Sequence, residues 1–127
     1  DLIVAHNVRF DINFMIAEFC YQDRRFRYKK EFDTMKFFTP IMKLTRENHK
    51  GYKYPKLSEM IEYLDIYPYD VTRKTAELFS VTGAGGHDAR YDSTALYLAF
   101  NEGAKRVEEL SDIKRKHVSH SSDEDDF

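Results

Sequence analysis

Two short blocks, Ala5-His6-Asn7-Val8-Arg9-Phe10-Asp11-Ile12-Asn13-Phe14-Met15 and His87-Asp88-Ala89-Arg90-Tyr91-Asp92, lie about eighty residues apart, and each sets a carboxylate among apolar residues. An ionised carboxylate withdrawn from water costs several kcal/mol unless a hydrogen-bond donor, a cation or a metal stands beside it. A fold for this chain must therefore find partners for Asp11 and Asp92. With His87 close to the second of them, the pattern points to one metal-dependent site.

At 127 residues, with 42% hydrophobic and 15% aromatic content, the chain can bury the core of one globular domain. The net charge of −2 is unevenly spread. Asp123, Glu124, Asp125 and Asp126 crowd the end, and without them the chain carries about +2. Residues 118–127 read as a solvated, disordered acidic tail, with an interaction motif as the alternative. The single cysteine, Cys20, excludes an internal disulfide, fits a reducing compartment and is expected in the core. No apolar run approaches the roughly 18 residues of a membrane span. The chain is thus expected to be soluble and cytoplasmic. It starts on Asp1 rather than methionine, which suggests a longer parent polypeptide.

Leu2-Ile3-Val4-Ala5 is a short apolar run of the kind that forms a buried strand. Asn7 is a natural N-cap, and from Val8 the apolar residues Val8, Ile12, Met15, Ile16 and Phe19 recur at helical spacing, with Phe10 and Phe14 widening the face. The spacing predicts a helix over 8–21 packed on the strand. Asp11 falls near its first turn, where the helix dipole favours negative charge.

Residues 21–56 carry eleven Lys and Arg against four Asp and Glu, about +7, with Tyr21, Phe26, Tyr28, Phe32, Phe37, Phe38, Tyr52 and Tyr54 interleaved. Such a composition suits a polyanion held by its phosphates while its bases stack. A solvated basic surface over ordinary core aromatics is the equal alternative. Within this stretch Glu31 to Phe38 predicts a second strand centred near Thr34, after which Pro40 opens a short helix.

Leu57, Ile61 and Leu64 predict a short helix over 57–65. Residues 66–86, with Pro68 and Gly83-Ala84-Gly85-Gly86, read as a connector holding one helical turn around 74–79. A last helix is expected from about His87 to Leu110, with Ala89, Asp92, Leu96, Ala99 and Gly103 on one face and Phe100 and Ala95 beside it. On an ideal helix Asp88 neighbours Asp92, whereas His87 and Asp92 lie about 140° apart. His87 should therefore belong to the glycine-rich approach. A helix-capping or merely exposed histidine is the competing reading.

Ala5-His6-Asn7-x-x-Phe10-Asp11-x-x-Phe14 resembles the second motif, and His87-x-Ala89-x-x-Asp92 the third motif, of the DEDDh superfamily of 3′–5′ exonucleases, which includes the proofreading epsilon subunit of bacterial DNA polymerase III. The resemblance spans roughly Leu2 to Phe100. It implies an α/β, ribonuclease H-like fold and two Mg²⁺ or Mn²⁺ ions about 4 Å apart that clamp the terminal phosphodiester. It also implies that Asp92 and Asp11 are metal ligands, that His87 is the general base, and that His6, Asn7 and Phe10 line the pocket for the 3′-terminal nucleotide. A histidine suits the role because its ordinary pKa of about 6.5 lets it accept a proton at neutral pH. The alternative for Phe10 and Phe14 is core packing, preferred for Phe14.

One motif of the family has no counterpart. The first, a strand bearing Asp-x-Glu, should precede the second, and two of the four metal-binding carboxylates are missing with it. The sequence thus reads as the helix-rich C-terminal portion of an exonuclease domain over residues 1–117, lacking the antiparallel part of the sheet. This chain alone is expected to bind metal weakly and to cleave poorly or not at all. The implied substrate is the single-stranded 3′ end of DNA, with RNA as the alternative, and the implied partner is a DNA polymerase subunit. The competing function is a non-catalytic nucleic-acid-binding or polymerase-docking module of the same fold.

Overall fold

The apolar run at the start forms strand β1 (Leu2–Ala5), helix α1 (Val8–Tyr21) follows, and strand β2 (Lys30–Asp33) returns parallel to β1. Residues 2–47 and 50–117 are described in this computed structural model, so the acidic segment 118–127 lies outside the described residues. Parallel strands cannot be joined by a tight turn, and α1 supplies the crossover. The register pairs Leu2 with Lys30, Ile3 with Glu31, Val4 with Phe32 and Ala5 with Asp33. Ala5, Val8 and Ile12 form a small core, with Ile3 and Phe26 packed against it.

Helix α2 (Thr34–Met42) begins where the second strand was expected to have its centre. The Asp33 carboxylate accepts hydrogen bonds from the Met35 and Lys36 amides, so Asp33 is an N-cap and the strand stops there. Thr34 and Phe38, one turn apart, are fully buried. Pro40 lies inside this helix rather than opening it, and removes an amide from the helix interior. Two residues later the helix ends, with Lys43 in the left-handed conformation.

The expected mixture of core and surface aromatics in the basic stretch divides by residue type. Phe26, Phe32, Phe37 and Phe38 are buried or half-buried, and their rings meet edge-on or tilted at centroid distances of 5.2 Å for Phe32–Phe37 and 5.3 Å for Phe37–Phe38. Tyr21, Tyr28, Tyr52 and Tyr54 are exposed. Cys20, expected in the core, is exposed on α1, and so are Phe10, Phe14 and Ile16. Only Val8 and Ile12 of that helix are buried, because a two-stranded sheet offers too narrow a surface to cover a wider stripe.

Residues 1–55 make up one compact unit and 56–127 a second. In the second, α3 (Leu57–Tyr63) begins with the Lys56 amide donating to Glu59 Oε1 at 2.8 Å, and it buries Met60 and Ile61, with Leu64 just beyond its end. The expected connector contains a full helix, α4 (Pro68–Phe79), because Pro68 occupies its first turn, where a missing amide costs nothing. Val71 and Thr75 are its buried residues. Among the glycines that follow, Gly83 has a φ of +71°, a conformation that other residues adopt only with strain.

The long helix expected to reach Leu110 is two helices, α5 (Ala89–Arg106) and α6 (Glu108–His117). Extended backbone at Val107 separates them (φ −121°, ψ 115°). Helix α5 packs against α3, α4 and α6. Its buried face runs through Tyr91, Ala95, Ala99 and Gly103, with Thr94 and Phe100 flanking; Ala99 and Gly103 of the expected stripe and the adjoining Ala95 and Phe100 are buried, while Asp92 and Leu96 are half-buried and Ala89 is exposed. Arg106 donates to the Leu64 carbonyl at 3.0 Å and pairs with Asp65 and Glu102, tying the end of α5 to the end of α3. The chain is therefore mixed α/β, mostly helical, with a two-stranded parallel sheet among the described residues. None of the described helices is long and apolar enough to cross a membrane.

Candidate functional site

The first unit gathers His6, Asn7, Asp11 and Asp33 at the C-terminal ends of its two strands. Asn7 precedes α1 with a φ of 74°, a left-handed conformation that asparagine tolerates, and its side chain makes no capping bond. That role passes to Asp33. Its Oδ1 accepts from the Asn7 amide at 2.9 Å and its Oδ2 from the Val8 amide at 3.2 Å, alongside the bonds from Met35 and Lys36. One carboxylate thus terminates two helices at once and answers the positive end of both dipoles. Asp33 was not singled out in the sequence, although an Asp directly before Thr34-Met35-Lys36 is the ordinary signature of a helix start.

His6, assigned to the nucleotide pocket, uses both ring nitrogens inside the unit. Its Nε2 lies 2.7 Å from the Pro55 carbonyl oxygen, which can only accept, so Nε2 carries a proton. Nδ1 meets Thr34 Oγ1 at 3.0 Å, and the same hydroxyl lies 3.2 Å from the Ala5 carbonyl oxygen. Burial lowers the His6 pKa below 6.5, against the opposing influence of the Pro55 carbonyl and of Asp33 and Asp11. The sign for stability follows. The unfolded chain takes up the proton first as pH falls, so the contribution of His6 is complete above about pH 6.5 and declines below it. Urea unfolding of the native chain should show a midpoint that falls through this window, and His6→Gln should lose that part of the dependence. A midpoint with the same pH profile in both proteins would contradict the assignment.

Asp11, expected to be a buried carboxylate, is exposed in the first turn of α1. Partial desolvation, then the Asp33 charge, still raise its pKa above the ordinary carboxylate value, with His6 opposing. Phe10 beside it is 68% exposed. Asn7, Phe10 and Asp11 therefore present one face of the first unit to solvent, while His6 braces that face from within.

In the second unit His87 sits outside the helix, as its spacing predicts, with a φ of 72° and an exposed side chain. The left-handed turn brings it to the same cavity as Asp92, which lies half-buried in the first turn of α5. The cavity has a volume of about 960 Å³ and is walled by Leu57, Ile61, Ile66, Tyr67 and Tyr91. Asp88 is otherwise engaged. It caps α5 through the Arg90 amide at 2.9 Å and forks with the Arg90 guanidinium at 3.1 and 2.8 Å, which holds its carboxyl down at about 2. That leaves Asp92 as the carboxylate of this block that faces the cavity. The pKa of the Tyr91 phenol, also in the cavity lining, is raised by burial and by the Asp92 charge.

A largely apolar hollow whose lining also includes His87, Asp92, Glu62, Asp65 and Lys56 can orient an organic group while a base and an acid work at its edge. It is poorer in ligands for a metal. Among the described residues no group of three or more His, Cys, Asp or Glu converges to hold an ion. Asp11 belongs to the first unit, and His87 and Asp92 to the second. No protein-family model, curated protein or solved structure matches the chain.

Proposed function

We propose that this chain carries the general base and two of the acidic residues of a 3′–5′ exonuclease of ribonuclease H-like fold, acting on the single-stranded 3′ end of DNA in a proofreading or repair role. The observation that supports the reading is the cavity shared by His87 and Asp92, with His87 thrown out of the helix into a left-handed turn at its edge. The parallel β1–α1–β2 unit, with Asp11 in the first turn of α1, is compatible with the same reading. In it the His87 imidazole takes a proton from water as the water oxygen bonds to phosphorus. The bond from phosphorus to the 3′ oxygen breaks, and that oxygen leaves with a proton drawn from solvent.

The Mg²⁺ or Mn²⁺ pair of the family is not fitted by these residues. Asp11 and Asp92 are two carboxylates where four are called for, and no group of three potential ligands exists among the described residues. The same observation favours a second reading, a non-catalytic nucleic-acid-binding or polymerase-docking module of the same fold.

Incubation of the chain with 5′-labelled single-stranded DNA and RNA in Mn²⁺ separates the two. The exonuclease reading expects slow shortening from the 3′ end that disappears in both His87→Ala and Asp92→Asn. Shortening that persists in those variants, or internal cuts, would sink it. Binding without any cleavage moves the same assay to a chain extended by a strand bearing Asp-x-Glu, where continued silence would leave the module, and the more strongly bound or cleaved oligonucleotide names the nucleic acid.

A further inference from the structure

Described residues between α2 and Pro55 build, with Thr39, a second concavity within the first unit, lined by none of the residues of the proposed exonuclease site. Thr45 and Tyr52 form an antiparallel bridge, and the Lys53 amide donates to the Leu44 carbonyl at 2.8 Å, so the two ends of this loop are pinned together. Beside the pin lies a hollow of about 510 Å³ lined by Thr39, Arg46, Tyr52, Lys53 and Tyr54. That volume is within the roughly 300–1,000 Å³ typical of small-ligand sites.

The chemistry of the lining is specific. Tyr52 and Tyr54 are 45% and 58% exposed, large fractions for aromatic rings, and both line the hollow. Arg46 is exposed, and Lys53 adds a second positive charge to the same wall. Nearby Lys43 and Lys50 raise the local charge further, against Glu47 alone. Flat π faces together with cations are what a single-stranded nucleic acid requires: bases stack on the rings and phosphates pair with the guanidinium and ammonium groups. An acidic peptide would use the cations and leave two exposed tyrosines without a role. The division of the stretch, phenylalanines inward and tyrosines outward, supplies the rings without disturbing the core.

We infer that the hollow formed by Arg46, Tyr52, Lys53 and Tyr54 is a binding site for single-stranded nucleic acid, one that grips the strand by stacking and phosphate pairing without reading its sequence. It shares with the exonuclease reading only the class of ligand. The site takes a base between or upon the two tyrosines, and the adjoining phosphates meet Arg46 and Lys53.

The test is fluorescence anisotropy of labelled oligo(dT) and oligo(U) with the full chain in EDTA at low salt, conditions in which cleavage plays no part. Tyr52→Ala and Tyr54→Ala should each weaken binding by about 5- to 100-fold, while Tyr52→Phe and Tyr54→Phe should stay within about twofold of the native chain. Arg46→Ala should lower the slope of log affinity against log salt by about 0.7, the effect of one lost phosphate contact on a single strand. Lys105→Ala, at an exposed lysine of α5 that lines neither cavity, should bind as the native chain does, and EDTA keeps the exonuclease reading out of the measurement. All six substitutions are at exposed positions, and an unchanged circular dichroism spectrum verifies that each variant is folded. Affinity unmoved by either alanine, no binding by the native chain, or competition by polyglutamate as strong as by unlabelled oligonucleotide would each overturn the proposal.

Discussion

Replacing Asp33 by alanine should lower the unfolding free energy by about 1–4 kcal/mol, since a single lost N-cap costs about 0.5–2 kcal/mol and this carboxylate caps two helices. Four amides lose their acceptor together: Asn7 and Val8 at the start of α1, Met35 and Lys36 at the start of α2. Because Asp33 ends β2 and faces Ala5 of β1 across the ladder, the loss also loosens the hinge by which both strands hand over to their helices. Urea denaturation measures it. Asp33→Asn offers a sharper control, for the amide oxygen keeps part of the capping but none of the charge. In that variant the Asp11 pKa should fall towards the ordinary carboxylate value and the His6 pKa should fall further, since the Asp33 charge raises both. A titration by nuclear magnetic resonance in which neither group moves, or a loss of stability under about 0.5 kcal/mol in the alanine variant, would remove Asp33 from its place at the centre of the first unit.

Leu110→Ala is the second large effect, at about 2–5 kcal/mol. Leu110 is fully buried and is the buried residue of α6, whose other positions are charged or partly exposed. Extended backbone at Val107 stops α5 from carrying α6 along as a continuation, so this helix is held by its side-chain packing on α5 rather than by its own backbone. A leucine truncated there leaves a cavity and removes the main anchor. Amide hydrogen exchange should accordingly show α6 losing protection well before α3, α4 and α5. Equal loss across all four helices would mean that α6 is an integral part of the core, and a change within about 0.5 kcal/mol would mean that it is not docked through Leu110 at all.

How far the sequence foretells this fold depends on whether a local signal had competition. Leu2–Ala5 and Val8–Tyr21 follow from apolar periodicity, which nothing nearby contradicts, and their bounds agree with the structure. Thr34 is different. Its β-branched side chain and aromatic neighbours favour a strand, yet the Asp33 carboxylate, by offering itself to Met35 and Lys36, tips the chain into a helix six residues before the one expected at Pro40. Pro68 shows the same ambiguity in another form, since a proline ends a helix or begins one according to whether its missing amide would have been needed. The break at Val107 left no signal in the periodicity. Both helices it separates are good helix formers, and what fixes the break is tertiary: Arg106 held at the end of α3 and Leu110 drawn into the core.

The candidate site was legible in residue types and less so in surroundings. His87 was placed off the helix by a geometric argument from spacing alone, and it lies there. Asp11 was expected to be buried because its neighbours in sequence are apolar, but Phe10 and Phe14 face solvent and offer no cover. His6 has the composition of a ligand-binding residue, whereas its contacts with Thr34 and Pro55 come from 28 and 49 residues away and could not be anticipated from local pattern.

Cys20, the one cysteine of the chain, stands exposed on the outer side of α1. A thiol-directed dye or spin label will therefore attach once per molecule, at a known turn of a known helix, without any engineered cysteine. In aerated buffer the same thiol joins two copies through a single disulfide. A covalent species of twice the 15.1 kDa chain mass on a non-reducing gel, absent after Cys20→Ser, must be recognised as that linkage before any larger particle is credited to genuine assembly.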